Sequence, residues 1–226
     1  MQKKLRTFAI FSAIALFVYV LLRLVGVIVP FKIPTTANEP NLPLNSYIWS
    51  SKFKKPKLFD FVCYQMFNKI SNAEGVFVYR LCGMPGDRIA IRDGVLSIND
   101  MNADAHLKLT FCYKVTANKA YVLKEDHIIS EYDAYNIGND SAFVFLSAAQ
   151  MSEAGLVRLK KDILPTSEPN IEIQKEFKND WNADQFGPIV VPEGHYFLLG
   201  DNRRNAADSR YLGFIPIDKV IGTVLF

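Results

Sequence analysis

Three short stretches hold most of the residue types that could do chemistry in this 226-residue chain. The first is IPTTANEPNL, Ile33 to Leu42, with two adjacent hydroxyls at Thr35 and Thr36. The second is VYRLCGMPGDRIAI, Val78 to Ile91, with Tyr79 and Arg80 ahead of a Pro-Gly bend. The third is VPEGHYFLLGDNRRNAADSRYLGFIP, Val191 to Pro216, dense in Asp, Asn and Arg after Gly200. Taken singly, each reads as ordinary turn chemistry. Met84-Pro85-Gly86-Asp87 is a competent turn on propensity alone, and Gly200-Asp201-Asn202 suits a tight connection. Other reactive groups show no pattern. Cys63, Cys82 and Cys112 allow one bridge at most and have no paired metal-ligand spacing. His106, His127 and His195 are scattered, with no zinc-type motif. A metal or cofactor is therefore not expected.

Composition narrows the setting for these stretches. Half of the residues are apolar, which excludes a disordered chain. Aromatics make up 13%, favouring strands over a helical bundle. A net charge of +3 gives no electrostatic footprint for nucleic acid.

The elements that must position the three stretches follow from hydropathy and turn signals. Phe8 to Leu22 carries no charge and no helix breaker, and Lys3, Lys4 and Arg6 precede it. With Arg23 at the interface and part of the following run LVGVIVPF, it is long enough to cross a membrane once. The residues that follow are bulky, so an uncleaved anchor is favoured over a cleaved signal peptide. The N-terminal cations favour a cytoplasmic N-terminus. The expected organisation is a cytoplasmic segment over 1–7, a membrane anchor over 8–30 and an extracytoplasmic domain over 31–226. In that domain YIWSSKF, FDFVCYQMF, VFVYRLCG, RIAIRDGVLSIND, AYVLK, FVFL, PIVV, HYFLLGD and VIGTVLF read as strands. Asp93-Gly94 between IAIR and VLSI predicts a hairpin. Ser147 to Gln150 predicts a capping box opening a helix toward Lys160. Residues 101–181 are mixed in character and read as an insertion into a β core.

In this order, and behind an N-terminal anchor, the three stretches resemble the type I signal peptidase family. The family's third motif reads approximately GDNxxNSxDSRxxG; here it is Gly200-Asp201-Asn202-Arg203-Arg204-Asn205-Ala206-Ala207-Asp208-Ser209-Arg210-Tyr211-Leu212-Gly213. The second stretch is similar to KRVxGxPGD and the first to SxSMxPTL. The resemblance implies a mostly β, signal-peptidase-like domain with a small α/β insertion on one transmembrane helix. It implies location in the plasma or inner membrane. It also implies an endopeptidase that cuts signal peptides from exported preproteins after small residues. Such enzymes use a serine nucleophile and a neutral lysine base, with the substrate added as an extended strand.

The chain departs from the family at the chemistry. By the resemblance the nucleophile position holds Ala37, the base position Tyr79, and the position of the base's serine partner Ala206. A methyl group cannot attack a carbonyl, and an unperturbed phenol, with a pKa of about 10, is a poor base at neutral pH. By analogy with Ser-His-Asp proteases, losing nucleophile or base costs about a millionfold. Thr36 is the fallback nucleophile, although a one-residue shift in an extended segment turns the side chain to the other face. Thr35 resembles an oxyanion-hole hydroxyl, and Thr35, Ala37 and Pro40 mark the groove region. The scaffold residues remain: Arg80, Gly83, Pro85, Gly86 and Asp87 in the second stretch, and Gly200, Asp201, Asn202, Ser209 and the ion pair Asp208–Arg210 in the third. Three functions follow as expectations. The first is a degenerate, non-cleaving homologue that binds signal peptides, exported preproteins or an active paralogue. The others are an endopeptidase with a displaced nucleophile and an accessory factor for assembly of exported or surface proteins.

Overall fold

A computed structural model describes residues 2–24, 27–70, 72–138 and 140–225. Residues 25 and 26 of the second apolar run lie outside them. Helix α1 (Gln2–Leu24) leads the chain. Strands β1 (Val29–Lys32), β2 (Tyr47–Ser51), β3 (Phe61–Asn68), β4 (Ala73–Gly83), β5 (Arg88–Arg92), β6 (Val95–Ile98), β7 (Met101–Asn102) and β8 (Thr110–Thr116) follow. Then come α2 (Ala117–Glu125), β9 (Ala134–Asn136), β10 (Ser141–Ser147), α3 (Ala148–Glu153), α4 (Ile171–Phe177), β11 (Phe186–Val190), β12 (His195–Leu199), α5 (Ser209–Leu212), β13 (Ile215–Pro216) and β14 (Val220–Leu225). The architecture is mostly β, as expected. Helix α1 is long and apolar enough to cross a membrane, with none of its apolar window buried against the rest of the molecule.

Seven strands form the main sheet, in the order β1-β2-β14-β3-β4-β12-β13. Its centre reads as strand because both faces are apolar. Along β3, Val62 and Tyr64 enter one buried cluster, while Phe61 and Cys63 enter another on the opposite face. This is the period-two alternation of a pleated strand. Val62 lies opposite Tyr79 on β4, so Tyr79 points to the same face. A four-stranded sheet, β11-β5-β6-β7, packs Ile89, Ile91, Leu96 and Phe186 against Cys82, Phe197 and Leu199. The Asp93-Gly94 hairpin joins β5 to β6, with both turn residues at positive φ (51° and 72°), as a type I′ turn requires.

Between these sheets the chain builds a three-stranded sheet, β8-β10-β9, covered by α2 and α3 around Leu123, Val144, Leu146 and Met151. Two sequence expectations fail in this region. AYVLK is not a strand but the body of α2: Thr116 caps the helix by accepting from the Lys119 N–H, and Ala120 and Leu123, three apart, turn inward. The Ser147 capping box forms, but its helix stops at Glu153, and Gly155 follows at a φ of 67°. Helix α4, capped by Asn170, has no counterpart in the sequence reading.

Candidate functional site

Strand β4 is paired with β3 from Ala73 to Arg80, but with β12 only from Arg80 onward. Among the described residues no strand pairs with the other edge of its first half. The Leu81 N–H and C=O are turned to the β3 side, toward Asp60 and Phe59. By alternation, the main-chain groups of Val76 and Val78 face the open edge. The segment Phe31–Asn38 runs opposite, and a groove of about 760 Å³ lies between them.

The positions that the resemblance assigns to the dyad and to the base's serine partner meet in this groove. Ala37, Tyr79 and Ala206 line it; Ala37 and Tyr79 belong to one buried cluster, and the half-buried Ala206 packs against it. Gly200 is the pivot that lets them meet. A Cβ there would fall 2.3 Å from the Ala206 Cβ, 2.7 Å from the Ala37 carbonyl oxygen and 3.5 Å from the Tyr79 ring. Tyr79 stacks at a tilt on Tyr64, with ring centroids 6.3 Å apart. Burial pushes the Tyr79 phenol well above its ordinary range. Asp208 adds to that shift, while a main-chain hydrogen bond from Ala207 and the Arg210 charge offset part of it. A phenol so shifted is not a base at neutral pH.

The scaffold residues form a dense polar support behind the groove. Arg80 Nε donates to Asp201 Oδ1 (2.7 Å) and Nη2 to Asp201 Oδ2 (2.5 Å), while Nη1 reaches the Phe59 carbonyl (2.7 Å). Asn41 adds a donor to the same carboxylate at 2.6 Å. Arg210, fully buried, bonds both oxygens of Asp208 at 2.9 and 2.7 Å and the carbonyls of Ala183 and Arg203. Asp208 in turn accepts from the Gly200 N–H at 3.0 Å, fixing the pivot. Ser209 Oγ accepts from the Leu198 N–H at 3.0 Å. In the second stretch the Asp87 carboxylate accepts from the Met84 N–H (2.8 Å) around the Pro85-Gly86 bend, with Gly86 at a φ of 87°. Gly83 allows the close approach of Val191, whose Cγ2 lies 2.9 Å from where a Cβ would stand.

The remaining sequence candidates fall in different places. Thr35 and Thr36 line the groove. The Thr36 hydroxyl is engaged with the inserted sheet: it accepts from Asn205 Nδ2 (3.1 Å) and hydrogen-bonds the Asp133 carboxylate. Pro40 does not line the groove. It belongs to a turn in which the Glu39 N–H donates to the Thr36 carbonyl and the Leu42 N–H to that of Asn38, burying Leu42. Cys63, Cys82 and Cys112 are buried and unpaired, and burial pushes each thiol up to about 12. Among the described residues no cluster of His, Cys, Asp and Glu has a metal-ligand arrangement.

Two residues beside the site escaped the sequence reading. Asp133, from the turn before β9, is 2% exposed. It accepts from Asn202 Nδ2 (3.0 Å) and Asn205 Nδ2 (3.2 Å). Burial lifts its carboxyl to about 6, Glu39 adds to the rise, and the hydrogen bonds hold it back. Asn38 donates its side-chain N–H to the Val78 carbonyl at 2.7 Å, bridging the two walls beside Ala37. Asp133 sits 69 residues before its partner Asn202, so no local spacing could have marked it.

Comparison with known proteins gives the family. The family model described as signal peptidase, peptidase S26, matches residues 5–226. A signal peptidase I of Buchnera aphidicola subsp. Baizongia pistaciae is 28% identical, covering all of this chain and 76% of its own. One of Rickettsia typhi is 27% identical, over 87% of this chain and 70% of its own. A crystal structure of a signal peptidase I from Enterococcus faecalis V583 aligns with 25% identity and a TM-score of 0.37, covering 76% of this chain and 98% of that one. Matched by one family model from residue 5 to residue 226, this chain belongs to the signal peptidase family, peptidase S26.

Proposed function

We propose that this protein is a non-cleaving signal peptidase homologue that holds the signal-peptide region of exported preproteins in its groove. The observation that carries this reading is the meeting of Ala37, Tyr79 and Ala206 at one point of an open groove. The main-chain groups of Val76 and the Val78 N–H suit an extended peptide, which gains main-chain hydrogen bonds by adding to a sheet; the Val78 carbonyl is already held by Asn38. A methyl, a buried phenol and a second methyl leave that peptide with neither a nucleophile nor a base. In this reading α1 anchors the chain with its N-terminus in the cytoplasm, and residues 31–226 lie outside. Support comes from Lys3, Lys4 and Arg6 ahead of the apolar stretch.

Cleavage by Thr36 is the second reading. It is favoured by the hydrogen bond between its hydroxyl and the buried Asp133 carboxylate. One experiment separates the two. The detergent-purified full-length protein is incubated with a signal-peptide-bearing preprotein, and binding and products are followed by mass spectrometry. Binding without a cut supports the first reading. A single cut after a small residue, abolished by Thr36→Ala, supports the second.

A further inference from the structure

Charge is segregated along one stretch of the chain. Between Glu39 and Asp60 there is no acidic residue, and the cations are Lys52, Lys54, Lys55 and Lys57, all in the turn that leaves β2. One of the four builds the turn. Lys54 Nζ pairs with Asp60 at 3.1 Å and donates to the Val224 carbonyl at 2.9 Å, and the Lys54 carbonyl accepts from the Thr223 hydroxyl at 2.8 Å. The Lys57 N–H donates to the same Asp60 carboxylate at 2.9 Å. The turn is thereby fixed on β14, and Asp60 is already engaged. Lys52, Lys55 and Lys57 are exposed, and among the described residues none of the three has an ion-pair partner. Phe53 stands among them, 64% exposed, with Lys52 Nζ 5.3 Å from its ring centroid.

Strand register sets where this turn lies. Val29, five residues after the end of α1, is opposite Ser50, so β2 runs back toward α1 and the turn follows at once. Near the end of α1, Tyr19 meets Trp49 edge-on at 6.4 Å. Tyr47, two residues before Trp49 and so on the same face, is exposed as well. Tyr and Trp settle at the interface of a bilayer. The turn is therefore held at the end of the sheet where α1 leaves the membrane. Position matters, because exposed charges attract over only about 8 Å at physiological salt. A lysine ammonium is a compact point charge that suits a phosphate.

We propose that the turn over 52–57 binds anionic phospholipid headgroups beside α1, with Lys52, Lys55 and Lys57 meeting the phosphates and Phe53 lying at the interface. Charge complementarity and continuity with α1 name this occupant. Three unpaired cations surround one exposed ring, and the Tyr19–Trp49 contact sets them at the level of the bilayer surface. The contact is peripheral. It is screened by salt and lost at alkaline pH, which separates it from anchoring by α1. Its consequence is orientation: one helix leaves the β domain free to turn about its axis, and a second attachment fixes which way the groove faces. The inference rests on α1 as a membrane span and on nothing in the groove.

The test places the full-length protein in lipid nanodiscs of phosphatidylcholine, with or without phosphatidylglycerol. Labelling of each lysine by an amine reagent is followed by mass spectrometry. Lys55 and Lys57 are expected to react at least threefold more slowly in the anionic discs, and the difference is expected to vanish at high salt. Lys160, in the inserted segment, is expected to react alike in both. The combined variant Lys52→Gln, Lys55→Gln, Lys57→Gln changes exposed side chains only. It is expected to retain at least twofold less phosphatidylglycerol when purified in mild detergent. Equal labelling of the turn in both discs, equal slowing of Lys160, slowing that persists at high salt, or unchanged lipid retention by the variant each overturns the proposal. A protein that does not enter the discs overturns α1 as a span together with it. Preprotein binding plays no part in these readouts, so failure of the groove as a peptide site leaves the proposal standing.

Discussion

At the residue scale, Asp133 and Tyr79 show two ways of using a buried polar group. Asp133 keeps three hydrogen-bond donors about it, yet its carboxyl is lifted from 3.8 to about 6 because burial outweighs them. The sign follows from linkage. The folded state holds the proton more tightly than the unfolded chain, so this residue contributes most stability below about pH 4. That contribution is lost as pH rises through about 6, up to about 3 kcal/mol for a shift of two units. Asp133→Asn keeps an acceptor oxygen for Asn202 and Asn205 and removes the charge. Thermal melts between pH 4 and 7 are expected to show that the variant gains stability relative to the parent as pH rises. A parallel loss in both proteins would contradict this. Tyr79 is read as packing, not as a base. Tyr79→Phe is therefore expected to change preprotein binding less than twofold and to cost about 1 kcal/mol in a denaturant melt, for the hydrogen bond from Ala207.

At the element scale, the loop from Gly200 to Ala206 holds the site together. It bonds β4 through Asp201 and Arg80, the inserted sheet through Asn202 and Asp133, and the segment after α1 through Asn205 and Thr36. Arg203 adds a buried pair with Asp104, at 2.5 and 2.8 Å. Removing one partner of a buried pair strands the other. Arg210→Ala is therefore expected to cost about 3–5 kcal/mol in a urea melt. Gly200→Ala pushes a methyl onto the Ala206 Cβ and the Ala37 carbonyl, and about 1–3 kcal/mol of overpacking is expected in the same assay. Much of this scale was legible in the sequence. The Asp93-Gly94 hairpin and the Ser147 capping box have local signatures, and the three motifs carried the groove. What was not legible depends on distant partners. AYVLK has strand-like residues, but a Thr116 cap and inward-facing Ala120 and Leu123 make it helix. Asp133 becomes visible only when the inserted sheet docks on the 200–207 loop, and Asn38 only when the segment after α1 lies beside β4.

At the scale of the whole molecule, the β domain buries its own clusters, and α1 touches it through Tyr19 edge-on to Trp49 at 6.4 Å. Deleting residues 1–24 is expected to free the protein from membranes on alkaline extraction and to leave the melting temperature of the β domain within a few degrees. Retention in the membrane pellet would show that the sheet surface binds lipid on its own.

The most direct test of the account is a side-by-side cleavage assay of the unmodified protein and the triple variant Ala37→Ser, Tyr79→Lys, Ala206→Ser on one preprotein. The three positions share one point of the groove, and a lysine buried there is lowered toward the neutral form that a base needs. The unmodified protein is expected to bind the preprotein and leave it whole, while the triple variant cuts once, after a small residue. A cut of the same kind by the unmodified protein would contradict it.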